Sequence, residues 1–354
     1  MIKMGVIGAC GIAKRRTIPE GILKAKNVKL VALMDVQKEA VKETAKQFKV
    51  KKYYTKEEDL INDKDVQAVY IAAPTYLHAE LTIKAAKAGK HVFVEKPMAM
   101  NPSECKVMIN ECKKNKVKLM VGFLMRFHAY HQKIKELIDG GIIGSPVLAR
   151  AQLSCWYPEI KGAWRQDLKL GGGGSIIDMG MHCIDLLRML MGEVTEVSAF
   201  TANTAFKYKT EDNAVFIMKF KNNALAMVDS SFCVQDFTSN NVLEIFGLKG
   251  AIKSEFTIGQ SAGGKVVVSY TAKDAGYEAS QSREEKEKEI IYDSSNVKKE
   301  DPVPVNTYKS EIEHFADCIE KDKEPLISGE EGLRIQEIVA ALYESAKTGK
   351  KVKV

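Results

Sequence analysis

Over the first 122 residues, apolar runs alternate with amphipathic, Lys/Glu-rich segments, and few folds accept that pattern. The runs "KMGVIGA", "VKLVALMD", "VQAVYIAAP", "KHVFVEKP" and "VKLMVGF" are rich in Val and Ile and read as buried parallel strands. Segments such as "VQKEAVKETAKQF" and "AELTIKAAKAGK" between them read as helices. Strands joined by right-handed helical crossovers form an open, doubly wound sheet, so residues 1–122 are expected to be a Rossmann domain.

The remainder changes character. "AYHQKIKELIDGGIIG" reads as one more helix closed by glycines. Beyond residue 190, "EVSAFTANTAF", "NAVFIMKF", "ALAMVDSSFCV", "NVLEIFG" and "KVVVSYT" alternate with period two, which suits a mostly antiparallel sheet with one face covered. Residues 273–304 are charged and poor in pattern, and are expected to form an exposed hairpin or loop. Two helices, "YKSEIEHFADCIEKDK" and "GLRIQEIVAALYESAKTGK", follow. The expected architecture is α/β, with a second α/β domain over 123–354. Its terminal helices are free to pack back on the first domain.

Where the first strand meets the first helix stands "GVIGACGIAKRR". Against the dinucleotide fingerprint G-x-G-x-x-G it keeps Gly8, places Cys10 at the second glycine and Ala13 at the third, and offers Gly11 one place on. The second apolar run ends at Asp35, 24 residues beyond Gly11, where a carboxylate accepts hydrogen bonds from ribose hydroxyls. It would repel a 2′-phosphate, so NAD is favoured over NADP. Lys14, Arg15 and Arg16 are the cations that could oppose this preference. Asp35 also suits the cap of the following helix, and the two roles are compatible.

"GGGGSIIDMGMHCIDLL" puts Asp178, His182 and Asp185 at intervals of four and three, neighbours on one helix face. Such a face behind four glycines could hold a metal, cradle a phosphate, transfer a proton or be plain helix surface. A metal would need further ligands at suitable spacing, and none are offered. An anion drawn to the glycine backbone would be repelled by the acids.

Composition narrows the classes. The net charge of +7 is spread over lysines such as those of "KKNKVK", without the aromatic interleaving of a nucleic-acid groove. Seven cysteines stand at 10, 105, 112, 155, 183, 233 and 318, none in a CxxC pair, as free thiols of a reducing cytoplasm would. No run approaches the ~18 apolar residues of a membrane span, and no secretory pattern opens the chain. The protein is expected to be cytoplasmic, with no nucleic-acid or membrane partner.

One further stretch, "AAPTYLHAELTIKAAKAGKHVFVEKPMAMN", places Pro74, Thr75 and His78 after one strand and Glu95-Lys96-Pro97 after the next. Both groups face the carboxyl ends of the strands, where open α/β sheets bind ligands. Together with "GFLMRFHAYHQKIKELIDGGIIG", the D-x-x-x-H helix and "SGEEGLRIQEIVAALYESAKTGKKV", this chain resembles the Gfo/Idh/MocA oxidoreductases over nearly its whole length. The resemblance implies a Rossmann domain, a C-terminal α/β domain for substrate binding and oligomerisation whose open sheet makes a homodimer or homotetramer, and NAD(P)-dependent oxidation or reduction of a sugar, cyclitol or polyol.

Residue by residue, it assigns Lys96 to the active-site lysine beside the nicotinamide, and Asp178 and His182 to the acid–histidine pair on the substrate. Arg126 falls at a basic position near the cofactor. Gly8, Cys10, Gly11, Ile12, Asp35, Ala73, Pro74, Thr75, His78, Glu95 and Lys96 then make up the rest of the cofactor set. With the family in view, proton transfer is the reading of the Asp178–His182 helix. His182, with an ordinary pKa of about 6.5, takes the carbinol proton, Asp178 orients it, and Lys96 stabilises the developing alkoxide. Asp185 is expected either to support the reacting side chains from behind or to be structural. Trp164 and Arg165 in "GAWRQD" are candidates to stack on a sugar ring and bond its hydroxyls. Two other chemistries fit the resemblance: a glycoside hydrolase that oxidises its substrate transiently with bound NAD, and a non-enzymatic, cofactor-binding sugar sensor.

Overall fold

The computed structural model describes residues 1–271 and 288–354. The chain divides into two compact units. The first comprises residues 1–124, 162–172 and 306–337; the second comprises 125–161, 173–305 and 338–354.

The first unit is built on six parallel strands: β1 (Ile2–Ile7), β2 (Val28–Met34), β3 (Lys52–Tyr54), β4 (Ala68–Ile71), β5 (His91–Glu95) and β6 (Leu119–Gly122). Their order, β3-β2-β1-β4-β5-β6, is that of a Rossmann sheet. Strands covered on both faces must be apolar throughout, and all four residues of β4 and the centre of β5 are buried. The order reverses between β1 and β4, which opens the ligand crevice there. The turns after β1, β4 and β5 carry Gly8, Pro74 and Lys96.

The helix after β1, Ala13–Ile22, is a π-helix with Pro19 inside it. The late helix Thr307–Glu320 packs on it, and Gly21 allows the approach: a Cβ there would lie 2.9 Å from the Tyr308 carbonyl oxygen.

Among its described residues the second unit holds nine strands in the order β14-β13-β12-β11-β7-β10-β9-β8-β15. They are β7 (Pro146–Ser154), β8 (Val194–Ala202), β9 (Asn213–Phe220), β10 (Leu225–Ser231), β11 (Leu243–Gly247), β12 (Gly250–Glu255), β13 (Lys265–Tyr270), β14 (Lys288–Asp293) and β15 (Val352–Lys353). Only β7 and β10 run parallel; the other neighbours are antiparallel. Residues 272–287 of the stretch expected to form an exposed hairpin or loop lie outside the described residues, and 288–293 form β14.

Alternation sets the two faces of this sheet. Ala214, Phe216, Met218 and Phe220 of β9 are buried, as are Ala226 and Val228 of β10. The opposite face leaves Ile217 50% and Phe200 78% exposed, with Val215, Leu225 and Met227 also exposed. The pairings align Ser198, Ile217, Met227, Arg150, Glu244 and Lys253 across that face. The helix Met181–Met191 packs on β7 and against the helix Ala129–Asp139. No helix among the described residues is long and apolar enough to cross a membrane.

Candidate active site

In the first unit, Gly8 takes a positive φ of +80°, and a Cβ there would lie 2.6 Å from the Ala72 carbonyl oxygen. Only glycine fits that turn. A Cβ on Gly11 would meet no protein atom within 4 Å, so the backbone there is open to close approach. The position where the fingerprint has its second glycine is explained by Asp35. Its Oδ2 accepts the Cys10 backbone N–H at 3.0 Å, while Oδ1 accepts the Gln37 N–H at 3.2 Å. Asp35, at the end of β2, therefore holds the glycine turn in shape. Ile12 leads directly into the π-helix.

After β4, Ala73 and Pro74 lead into the turn Thr75–Leu77 and the helix His78–Lys87. Thr75 is fully buried and its hydroxyl has no partner among the described residues. Both ring nitrogens of buried His78 lie 2.8 Å from carbonyl oxygens, Nδ1 from Pro97 and Nε2 from Ala73. His78 thus ties the turn after β4 to the turn after β5, and burial lowers its pKa. Glu95 accepts a hydrogen bond from the Tyr70 hydroxyl, which itself lies 2.8 Å from the Thr17 hydroxyl. Desolvation raises the Glu95 carboxyl, against the opposing pull of the Tyr70 hydrogen bond and the Lys96 charge. Lys96 follows it, half-buried.

Trp164 and Arg165 belong to this same unit. The Arg165 guanidinium lies over the Trp164 ring, 4.2 Å from its centroid, so one indole face is already covered. Its charge acts on His78 and Glu95. The short helix Leu168–Gly171 that follows packs on the turn Thr75–Leu77. The open glycine turn, the acid at the end of β2 and the buried Thr75 hydroxyl between motif loops fit a bound dinucleotide.

The second unit holds the other predicted residues. Asp178 lies half-buried in a π-helical turn, Ile176–Gly180, that runs without a break into the α-helix Met181–Met191 with buried His182 near its start. The sequence pattern leads one to expect a single α-helix here; the first turn is instead wound wider. Asp185 is buried and accepts from Arg126, whose Nε and Nη2 are each 2.7 Å from Oδ1. Asp185 is thus engaged by Arg126 on the same unit.

Glu211 and Tyr343 are site features that sequence reasoning missed. Three consecutive amides turn toward Glu211: Gly174 N–H to Oε2 at 2.8 Å, Ser175 N–H to the main-chain carbonyl at 3.1 Å, and Ile176 N–H to Oε1 at 3.0 Å. The Tyr343 hydroxyl donates to Oε1 at 2.8 Å. A Cβ on Gly173 would lie 1.9 Å from the Tyr343 hydroxyl oxygen, and one on Gly174 equally close to the Glu211 carbonyl oxygen. These two glycines make room for protein neighbours. Nothing in the local sequence signals contacts so distant along the chain. Among the described residues no group of three His, Cys, Asp or Glu could hold a metal, and no disulfide forms.

Residues 2–123 match the family model described as "Oxidoreductase family, NAD-binding Rossmann fold", and residues 135–354 match its partner, "Oxidoreductase family, C-terminal alpha/beta domain". The chain belongs to the Gfo/Idh/MocA oxidoreductases. Among curated relatives, it is 34% identical to myo-inositol 2-dehydrogenase of Thermotoga maritima, over 71% of this chain and 74% of that one. It is 27% identical to 1,5-anhydro-D-fructose reductase of Ensifer adhaerens, over 100% and 99% of the two chains. Among solved structures, aldose-aldose oxidoreductase of Caulobacter crescentus superposes with a TM-score of 0.87 at 26% identity, over 100% and 99% of the chains. The protein is an NAD-dependent oxidoreductase.

Proposed function

We propose that this Gfo/Idh/MocA oxidoreductase oxidises a carbinol of a sugar, cyclitol or related polyol, or reduces the corresponding carbonyl, with NAD(H). The observation that carries the reading is the family match over both domains in a chain that keeps Lys96, Asp178 and His182 together. The relatives' names, an inositol dehydrogenase and an anhydrofructose reductase, supply the substrate class.

Bound NAD supplies the hydride acceptor but cannot take the hydroxyl proton. In this reading the imidazole of His182 takes that proton. Asp178 orients the ring and stabilises its cation. Lys96 stabilises negative charge on the substrate oxygen as it develops. Gly8, Cys10, Gly11, Ile12 and Asp35 would hold the adenosine and pyrophosphate portion, and Ala73, Pro74, Thr75, His78, Glu95 and Arg126 would line the remainder. We assign Trp164 and Arg165 to substrate contact. The protein acts in the cytoplasm, in keeping with seven cysteines that form no disulfide among the described residues, and as a homo-oligomer formed through the exposed face of the nine-stranded sheet.

The deciding experiment incubates the protein with NAD and a panel of sugars, cyclitols and sugar acids, following the absorbance of NADH. Net NADH formation with one class of compound is expected. Release of an aglycone without NADH would point to the hydrolase chemistry, and tight binding without either product to a sensor.

A further inference from the structure

Glu211 lies in the second unit on a stretch of sequence outside the motifs of the family resemblance, yet its carboxylate is among the most heavily committed of the described residues. Both oxygens are occupied, by Gly174 N–H on one side and by Ile176 N–H and the Tyr343 hydroxyl on the other. Glu211 is 8% exposed, and burial raises its pKa while those three hydrogen bonds pull it back down. Burial drives the Tyr343 pKa well up, so its hydroxyl keeps its proton and donates a hydrogen bond to the carboxylate. A buried carboxylate bonded this way is costly to disturb, because removing it leaves several donors unpaired at once.

The amides it holds are those that open the helical segment of Asp178 and His182. The first N–H groups of a helix have no partner inside it and must find one elsewhere. Here one remote residue supplies the partners, its carboxylate for residues 174 and 176 and its main-chain carbonyl for Ser175, at the end where negative charge is also favoured by the helix dipole. The turn continues without interruption to His182, so any play at residues 174–176 is carried to both side chains. The recess that admits Glu211 and Tyr343 exists only because Gly173 and Gly174 lack side chains.

We propose that Glu211, braced by Tyr343, is a positioning residue that fixes the segment carrying Asp178 and His182 through the amides of residues 174–176. The inference rests on the acid–base reading of that segment given above. Misplacing a reacting group by about 1 Å can cost ~10²-fold in rate, so the hydrogen bonds of Glu211 have direct kinetic consequence.

The test pairs Glu211→Gln and Tyr343→Phe with His182→Ala, using as substrate the panel compound that gives fastest NADH formation. Glu211→Gln is expected to lower kcat about 10–100-fold, with NADH affinity unchanged and little change in KM. Tyr343→Phe, which removes one of the bonds, should act in the same direction and less. Amide hydrogen exchange over residues 174–182 should quicken in both variants while the Rossmann strands are unaffected. A merely structural residue would not lose its effect in the His182→Ala background; a positioning residue should, so Glu211→Gln added to His182→Ala should cost almost nothing further.

A folded Glu211→Gln variant with full kcat, or an undiminished further loss in the His182→Ala background, would overturn the proposal. Should Glu211→Gln fail to fold, unchanged kcat and exchange in Tyr343→Phe would overturn it as well. Full activity in His182→Ala would strike the acid–base reading instead, and a panel without any turnover would strike the proposed function. Both would leave the exchange result for Glu211 to stand on its own.

Discussion

Arg126 grips Asp185 with two nitrogens, each 2.7 Å from the same carboxylate oxygen, and the two side chains are 6% and 1% exposed. The pair joins the turn that carries Arg126 to the helix Met181–Met191, about two turns beyond Asp178. Buried ion pairs add little net stability, but removing one partner strands a charge. Arg126→Leu should therefore cost about 3–5 kcal/mol in denaturant unfolding. The double variant Arg126→Leu/Asp185→Leu should recover most of that loss. Equal stability of the single and double variants would show that the stranded charge is not what hurts.

Asp35 does two things at once in the Rossmann unit, and this makes cofactor choice testable. Its carboxylate holds the Cys10 amide, and the same group would meet a 2′-phosphate with repulsion. Hydrogen bonds to a charged group are worth ~1.5–3 kcal/mol, so Asp35→Ser should weaken NADH binding by about tenfold or more. The preference over NADPH should narrow together with it. Titration by nucleotide fluorescence checks both numbers. Equal binding of NADPH by the unmodified protein would mean that Lys14, Arg15 or Arg16 outweighs the carboxylate.

What the sequence made legible follows from how local each signal is. The strands around Gly8, Pro74 and Lys96 are continuous apolar runs, and their alternation with helices dictates the sheet order without any distant contact. β3 escapes notice because it is three residues long, at the edge. β7 escapes because "PVLARAQLS" puts Arg150 and Gln152 on the open face and the small Ala149 and Ala151 opposite, with Leu153 the one large apolar residue beside them, so its alternation is faint. The pattern gives no sign that β7 would pair parallel to β10 at the centre of the sheet. In the site, the spacing of Asp178 and His182 is readable, but the residues that brace them lie 37 and 132 positions apart in their contacts. The four glycines advertise a constraint without saying whether ligand or protein imposes it.

His128 and His131 make stability sensitive to acid. Their rings stand 4.7 Å apart at the head of the helix Ala129–Asp139. His128 Nδ1 accepts the Tyr130 N–H, and His131 Nδ1–H donates to the Met125 carbonyl, so both are neutral imidazoles. Burial pushes their pKa values down to about 4 and about 3, with the charge of His128 adding to the effect on His131. An unfolded chain takes up these protons near pH 6.5, while the folded one refuses them until far lower. Stability should be full above about pH 6.5 and fall steadily as the pH drops toward 4, by several kcal/mol at ~1.4 kcal/mol per tenfold in proton affinity. Urea unfolding at pH 7.5, 6 and 5 measures this, and His131→Gln should flatten the slope. A flat profile in the unmodified protein would refute it.

The exposed face of the nine-stranded sheet predicts self-association. Val215, Ile217, Leu225 and Met227 form one apolar group on β9 and β10, beside the cross-strand row Arg150, Glu244 and Lys253. A soluble monomer rarely leaves so much contiguous apolar surface in water. Light scattering at micromolar concentration should report a dimer or tetramer, and Ile217→Glu with Met227→Glu should dissociate it. A monomer in the unmodified protein would rule the assembly out.

The mechanistic assignment predicts a graded series. If His182 is the base, His182→Ala should lower kcat by ~10²–10⁴-fold, the usual contribution of a positioned acid–base group. Lys96→Ala should be at least as damaging, because charge stabilisation is lost where the alkoxide forms. Asp178→Asn should hurt less than either, since the imidazole remains with a poorer orienting partner. NADH affinity should survive in His182→Ala and Asp178→Asn, whose positions lie on the second unit, apart in sequence from Gly8, Gly11 and Asp35. Raising the pH should partly restore His182→Ala, because hydroxide can replace the missing base. A chelator should leave the unmodified enzyme at full rate, since the chemistry asks nothing of a metal. Full activity in His182→Ala, or loss of activity with chelator, would transfer the proton chemistry away from this helix.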